Sequence, residues 1–108
     1  NNKDFFLSVA FNYGSRNEIV QSVRNLNFSD LKKLTEESFS EILSGRNFPE
    51  PDIIIRTGGQ KRLSNFLLWE AAYSELFFLD IFWPDFSEEN LQEIIGDFSK
   101  RKRNFGGT

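Results

Sequence analysis

Residues 52–59 read DIIIRTGG, and this stretch decides the fold class. Three consecutive isoleucines without polar alternation are typical of a strand that is buried on both faces, as in a parallel sheet. An arginine and a pair of glycines follow at the carboxyl end of this strand, where open α/β sheets place their ligands. We therefore predict a buried parallel strand over 53–55 with a binding loop directly after it.

Helical and strand-like segments alternate on both sides of this strand. The apolar spacing predicts helices over 16–26, near 29–34, over 35–45, over 65–73 and from 87 to the Gly106-Gly107 pair, and further strands over 5–11 and 76–82. The sequence SRNE at 15–18 predicts a capping box for the first helix. Alternating strands and helices predict an α/β fold with a central, mostly parallel sheet flanked by helices. Two or three strands are few for a sheet covered on both faces, so we expect half of a larger domain.

The amino-acid composition excludes several kinds of catalytic and metal site. The 108 residues include no cysteine and no histidine, which excludes disulfides, thiolate or histidine zinc sites and Ser-His-Asp catalysis within this chain. A net charge of −3 argues against a general nucleic-acid binder. Neither a signal peptide nor a membrane-spanning segment is evident. Thirteen phenylalanines and no methionine lead us to expect a fragment whose aromatic residues belong to a larger core or an interface.

The loop after the isoleucine strand is the first candidate site. Residues 56–64, RTGGQKRLS, combine two glycines with three cations and two hydroxyl groups in a chain that is acidic overall. Paired glycines allow a positive φ and let backbone amides face an anion. Arginine offers a planar fork to phosphate oxygens. A phosphate or diphosphate is the predicted ligand, and an exposed, solvated loop is the alternative that the residues alone leave open.

Three other features each have two interpretations. Glu75 is a lone carboxylate in YSELFF, residues 73–78. It either binds Mg²⁺ beside a diphosphate or forms a salt bridge with an arginine of the loop, and the residues alone favour the salt bridge. The basic run 100–103 is either a polyanion or membrane site or, as we expect, a solvated helix end. The aromatic residues Phe77, Phe78, Phe82 and Trp83 either line a lipid tunnel or, as we expect, form a packed core or dimer seam.

Several collinear motifs resemble the carboxyl-terminal signature of cis-prenyltransferases. They are PDIIIRTGG at 51–59, RLSNFLLW at 62–69, AYSEL at 72–76 and WPDF at 83–86, with FNYGSR at 11–16 and FGG at 105–107. The resemblance implies an α/β enzyme that works as a homodimer and condenses isopentenyl diphosphate head-to-tail onto an allylic diphosphate, usually farnesyl. The product would be a long-chain polyprenyl diphosphate such as undecaprenyl diphosphate, a cell-wall lipid carrier. A cytoplasmic enzyme with peripheral membrane contact for product release is the corresponding expectation.

The resemblance also implies roles for individual residues. The diphosphate of isopentenyl diphosphate would be held by Arg56, Arg62, Leu63 and Ser64, and Mg²⁺ would be bound by Glu75. The family's amino-terminal half, with its metal-binding aspartate, is absent. Residues 1–108 are therefore expected to be the carboxyl-terminal half of one domain, to contain no catalytic residue and to be inactive alone.

Two positions depart from the family pattern. Gln60 and Lys61 stand where the family often has Glu-His, and Asn104 aligns with the arginine of a carboxyl-terminal Arg-x-Gly motif, with Arg103 one residue away. A non-catalytic partner subunit of a heteromeric prenyltransferase is the alternative function, and an unrelated phosphate-binding module is a third. The intact set Arg56, Arg62, Ser64 and Glu75 favours the enzyme, because a scaffold does not need those side chains.

Overall fold

The computed structural model describes residues 7–44 and 49–101 of the chain. Its helices are α1 (Ser15–Arg24), α2 (Phe28–Lys32), α3 (Glu36–Ser44) and α4 (Glu88–Lys100), its strands are β1 (Ile53–Arg56) and β2 (Glu75–Phe78), and two short 3₁₀ turns cover Glu70–Tyr73 and Trp83–Asp85. The predicted α/β fold is confirmed. The predicted helix end at Gly45 and the positions 102–107 lie outside the described residues.

The sheet consists of β1 and β2, which pair in parallel. Ile53 lies opposite Glu75 and Arg56 lies opposite Phe78. The parallel arrangement predicted from the isoleucine run is therefore confirmed. Burial is less complete than predicted, since Ile54 is buried but Ile53 and Ile55 are only half-buried.

The strand predicted over 5–11 is wrong for the residues that the structure describes. Residues 7–11 form no strand, and Leu7 and Phe11 are 81% and 84% exposed. Strand formation requires a neighbouring strand that satisfies the backbone amides and carbonyls. Nothing between 7 and 44 or between 49 and 101 pairs with this segment as a strand. Positions 5 and 6 lie outside the described residues.

The helix predicted over 65–73 is also wrong, because only the 3₁₀ turn Glu70–Tyr73 forms there. Ser64, Asn65 and Leu67 adopt positive φ values of 52°, 67° and 50°. A right-handed helix cannot contain such residues, so the apolar spacing of this segment does not produce a continuous helix.

Helix α1 is capped from a distant loop rather than by its own side chains. The Arg16 amide donates to Asn65 Oδ1 at 2.8 Å, and the Ser15 amide donates to the Asn65 carbonyl at 2.8 Å. The fully buried Ser15 Oγ accepts the Leu68 amide at 3.0 Å, so the capping box predicted over 15–18 is wrong. For α4, by contrast, the predicted start is confirmed, with Ser87 as its N-cap residue.

The core is small, and a large apolar surface stays exposed. The buried apolar residues are Phe39, Leu43, Ile54, Ala71, Phe77 and Ile94. Of the predicted aromatic cluster, Phe77 is buried and Phe78 is half-buried, whereas Phe82 and Trp83 are 67% and 69% exposed. Many large apolar side chains are exposed in this chain, among them Leu7, Phe11, Phe28, Phe82 and Trp83, which agrees with the expected larger core or interface. Over 7–44 and 49–101, no helix combines the length and apolar character needed to span a bilayer.

Candidate functional site

The loop that follows β1 has the predicted backbone conformation but not the predicted amide orientation. Gly58 and Gly59 adopt φ values of 97° and 84°, as expected for paired glycines. Their amides, however, donate to the carbonyls of Ile81 and Leu79 at 2.8 and 2.9 Å. These amides are therefore not available to an anion, and anion recognition at this loop falls to side chains. The segment after β2 is thus bonded to two glycines whose positive φ values depart from strand geometry, and β2 ends at Phe78 and not at the predicted residue 82.

Arg56 gathers the predicted anion-binding residues into one cluster, which we call the arginine cluster (Arg56, Arg62, Leu63 and Ser64). Its Nη1 donates to the Arg62 carbonyl and to Ser64 Oγ, both at 2.6 Å. Among the described residues no other partner takes the remaining Arg56 N–H groups, and the Arg62 side chain is exposed. The Arg56 guanidinium and the Ser64 hydroxyl are thus side by side, and the exposed Arg62 begins from the same loop. Guanidinium and hydroxyl groups are chemically suitable donors for phosphate oxygens.

The remaining loop residues contribute less directly to this cluster. Leu63 is half-buried, and its carbonyl accepts the Phe66 amide at 3.2 Å, so its contribution is to the shape of the loop. Gln60 and Lys61 are exposed. Asp80 was not anticipated from the sequence, although it lies just past the carboxyl end of β2. Its carboxylate lies beside Gly59, with Oδ1 3.6 Å from where a Cβ on that glycine would be, and it repels an anion on that side.

Glu75 is not part of the arginine cluster. It is the first residue of β2 and faces Ile53, whereas Arg56 faces Phe78 at the other end of the pair. Three residue steps along a strand correspond to roughly 10 Å. The predicted pairing of Glu75 with an arginine of the loop is also wrong, because its Oε1 lies 2.6 Å from Nη1 of Arg101.

Arg101, at the end of α4, is held by three groups. In addition to Glu75, its Nη2 contacts Asp97 Oδ2 at 2.9 Å, and its guanidinium lies 4.4 Å from the centre of the Phe77 ring. The hydrogen bond to Glu75 raises the pKa of Arg101 further above its already high ordinary value. Arg101 is exposed, as expected for a solvated helix end, and its ion pairs were not expected. Lys102 and Arg103 lie outside the described residues.

The chain offers limited ligands for a divalent cation. Within the described ranges, no three side chains of the metal-binding types come together. Oε2 of Glu75 has no hydrogen-bond partner there, since Arg101 takes only Oε1. Mg²⁺ commonly binds one or two carboxylates and completes its shell with phosphate oxygens and water. Glu75 therefore fits as a single ligand for Mg²⁺ whose other ligands come from a bound phosphate group, from water or from another chain.

A second feature, a cavity of about 720 Å³, was not anticipated from the sequence. Its walls come from distant segments, including Val9, Tyr13, Glu18, Leu43, Glu50, Phe66 and Glu70. Burial, together with the hydrogen bond that its hydroxyl donates to Glu18 at 2.7 Å, raises the pKa of Tyr13 to about 12. Glu70 Oε1 is buried and has no hydrogen-bond partner in the part of the chain that the structure describes. Burial, followed by the negative charges of Glu18 and Glu50, raises the pKa of Glu70.

We expect Glu70→Gln to stabilise the protein at neutral pH by about 1 kcal/mol. This value lies at the low end of the range for a buried unpaired group, because Glu70 is only half-buried. Its pKa is higher in the folded than in the unfolded chain, so the folded state binds this proton more tightly. The destabilisation is therefore present above the folded pKa and vanishes as the pH falls below the ordinary value of 4.5.

Urea unfolding at pH 7.5 and pH 4.0 tests this prediction. The gain for Glu70→Gln should be present at pH 7.5 and absent at pH 4.0. Glu93→Gln, at an exposed position of α4, makes the same charge change and should alter stability by less than about 0.5 kcal/mol. A gain that is equal at both pH values would contradict the assignment to the Glu70 charge.

Sequence comparison relates the whole chain to one family. A family profile for prenyltransferases, described as undecaprenyl diphosphate synthase, matches residues 1–106. An isoprenyl transferase of Fusobacterium nucleatum is 49% identical over 107 residues, which cover 99% of this chain and 46% of the relative. An isoprenyl transferase of Aquifex aeolicus is 48% identical, over 96% of this chain and 45% of the relative. The chain thus spans a little under half the length of these curated relatives.

Solved structures give the same relationship. A lavandulyl diphosphate synthase of Lavandula x intermedia, crystallised with dimethylallyl diphosphate, superimposes with a TM-score of 0.75 at 33% identity, over 87% of this chain and 43% of that structure. A Campylobacter jejuni protein described as an undecaprenyl diphosphate synthase has a TM-score of 0.70 at 35% identity, over 87% of this chain and 44% of that structure. The likeness therefore includes the fold as well as the motifs.

Proposed function

Because the chain belongs to the prenyltransferase family of undecaprenyl diphosphate synthases, we propose that the complete protein condenses isopentenyl diphosphate onto an allylic diphosphate such as farnesyl diphosphate. The product is a long-chain polyprenyl diphosphate, and this chain contributes the carboxyl-terminal half of the enzyme. The observation that carries the proposal is the arginine cluster at the carboxyl end of β1, where Arg56 is within 2.6 Å of both the Arg62 carbonyl and Ser64 Oγ.

The arginine cluster binds the diphosphate of isopentenyl diphosphate in this proposal. Arg56 has already formed its two bonds within the loop, so its remaining N–H groups are held in a fixed direction. The exposed guanidinium of Arg62 supplies a second fork, and Ser64 adds a hydroxyl donor. Charge-assisted hydrogen bonds of this kind are roughly twice as strong as neutral ones. Leu63 shapes the loop between the two polar contacts.

Anchoring of the substrate is the catalytic contribution of these residues. Holding a diphosphate fixes the attached carbon chain, and a fixed reactant converts a bimolecular step into one that is effectively unimolecular. Guanidinium groups also stabilise negative charge on the diphosphate without a covalent intermediate. We assign no proton transfer to this chain, since Arg56, Arg62 and Ser64 are suited to binding and not to acid–base work at neutral pH.

Mg²⁺ is the proposed cofactor, with Glu75 as one of its ligands. When bound, Mg²⁺ neutralises diphosphate charge and so favours departure of the allylic diphosphate. Glu75 is roughly 10 Å from Arg56 along the strands, so the proposed metal ligand and the arginine cluster begin from opposite ends of the strand pair. A homodimer, in the cytoplasm and with peripheral membrane contact for release of the product, completes the proposal.

The second candidate function is that of a non-catalytic partner subunit. The arginine cluster argues against this function. Within residues 7–44 and 49–101, the side chain of Arg62 makes no hydrogen bond or ion pair that supports the fold, whereas the carbonyl of Arg62 accepts one from Arg56. A scaffold subunit has no need of an exposed guanidinium at this position.

The substitution Arg62→Ala in the complete protein tests the proposed function. We expect the KM for isopentenyl diphosphate to rise about ten- to a hundredfold, as for the loss of a hydrogen bond to a charged group. Lys61→Ala is the matched control, because it removes the neighbouring exposed cation and should change KM less than threefold. Prenyl transfer from farnesyl diphosphate with radiolabelled isopentenyl diphosphate and Mg²⁺ measures both. Unchanged transfer by Arg62→Ala would support the partner-subunit alternative, and no transfer by the wild-type protein would contradict the proposed enzyme.

A further inference from the structure

We propose that Arg101 is the internal counter-cation of Glu75, so that a divalent cation bound at Glu75 and the docking of the end of α4 oppose each other. This inference rests on the proposed role of Glu75 in metal binding. In this proposal Arg101, the residue that directly follows α4, lowers the affinity for the metal, and metal binding in turn loosens the contact of Arg101 with Glu75.

The contacts around Arg101 define the docked state. Nη1 is 2.6 Å from Glu75 Oε1 and Nη2 is 2.9 Å from Asp97 Oδ2. The guanidinium also lies 4.4 Å from the centre of the Phe77 ring, and this ring belongs to one of the few buried side chains. The Arg101 amide completes α4 by donating to the carbonyls of Asp97 and Phe98 at 3.2 Å each. The Arg101 side chain therefore attaches the end of α4 to the start of β2.

Electrostatics determines the direction of the coupling. A guanidinium in direct contact with a carboxylate neutralises much of the charge that would attract a second cation. A divalent ion on Oε2 of the same carboxylate would lie within a few ångströms of the Arg101 charge and be repelled by it. Arg101 also holds the Glu75 side chain in one position, which lowers the entropy cost of metal binding. This effect strengthens metal binding and so opposes the repulsion. The side chains of Arg101 and Glu75 are 38% and 24% exposed, so solvent weakens this repulsion. At a separation of a few ångströms we expect the repulsion between a single and a double positive charge still to exceed the entropy gain.

Thermodynamic reciprocity gives the proposal a second observable. If Arg101 weakens metal binding at Glu75, then metal binding at Glu75 must weaken the docking of Arg101 by the same factor. Loss of that docking should open the last turn of α4, whose amides then exchange faster with solvent.

The test uses the complete gene product and Mn²⁺ as the probe, with free Mn²⁺ measured by electron paramagnetic resonance. We expect Arg101→Gln to bind Mn²⁺ roughly three- to thirtyfold more tightly than the wild-type protein. Lys100→Gln makes the same change in net charge one residue away and should alter the affinity less than twofold. In the wild-type protein, Mn²⁺ should also increase hydrogen exchange over residues 97–101. Unchanged or weaker Mn²⁺ binding by Arg101→Gln would overturn the proposal.

Two further variants separate this proposal from the proposed function. Glu75→Gln should lose the Mn²⁺ site, and if it binds Mn²⁺ as the wild-type protein does, the role of Glu75 in metal binding and the role of Arg101 both fail. If Glu75→Gln loses the site while Arg101→Gln binds as the wild type does, only the role of Arg101 fails. Arg101→Lys keeps a charge without the planar fork and should lie between the wild type and Arg101→Gln. Should Arg101→Gln fail to fold, as judged by circular dichroism, Arg101→Lys carries the test, and no gain in its affinity overturns the proposal.

Discussion

Replacement of Arg56 by alanine should lower kcat/KM for isopentenyl diphosphate about a hundredfold or more in the complete protein. Arg56 has two functions that alanine removes together. Its guanidinium is a fork for phosphate oxygens, and its Nη1 also fixes the loop through the Arg62 carbonyl and Ser64 Oγ, both at 2.6 Å. The loss should therefore exceed that for Arg62→Ala, which removes a guanidinium but leaves the loop bonded.

Arg56→Lys is the control for charge. Lysine keeps the positive charge but cannot bond the loop and a phosphate group at the same time with a planar fork, so an intermediate loss is expected. Steady-state kinetics with isopentenyl diphosphate as the varied substrate distinguishes the variants. A loss for Arg56→Ala of less than threefold would remove the arginine cluster as the diphosphate site. A full recovery by Arg56→Lys would show that charge alone matters and that the loop bonds do not.

Replacement of Phe39 by alanine should destabilise the protein by about 3–5 kcal/mol. Phe39 is 6% exposed, and its ring meets Trp69 edge-to-face with 5.0 Å between ring centres. Trp69 is in turn held by the hydrogen bond from its Nε1 to Ser40 Oγ at 2.9 Å. The truncation would leave a cavity between α3 and the turn that carries Trp69, in a core with few other buried side chains.

Urea unfolding followed by tryptophan fluorescence measures this loss. Phe28→Ala is the matched control, because Phe28 on α2 is 73% exposed in this chain and its truncation should change stability by less than about 0.5 kcal/mol. A similar loss for both variants would show that Phe28 is covered in the complete protein. A loss below 1 kcal/mol for Phe39→Ala would contradict the assigned core.

Local patterns predicted those features whose physical cause is local. The isoleucines of β1 predicted a parallel strand because an uninterrupted β-branched run suits a sheet that is covered by other elements. Ser87 predicted the start of α4 because its partner, the Asn90 amide, is three residues away. The glycine pair predicted positive φ because that preference belongs to the residue itself.

The same reasoning failed where the partner is distant in sequence. The amides of Gly58 and Gly59 were expected to face an anion, but they bond to carbonyls of a segment about twenty residues later. The capping box at 15–18 was expected to be local, but Asn65 supplies the cap from across the fold. Glu75 was expected beside the arginine cluster, but the parallel register places it at the opposite end of the strand pair.

The sequence by itself therefore determined the fold class and the family, because strand preference, glycine geometry and collinear motifs depend on neighbouring residues. It also predicted Arg56, Arg62 and Ser64 as the candidate diphosphate-binding residues. Only the tertiary structure decided that Arg56 joins Arg62 and Ser64 through one nitrogen, and that Arg101 takes Oε1 of Glu75. Such contacts depend on the register of two strands and on the end point of a helix. Those quantities follow from the packing of the whole chain, and no local pattern contains them.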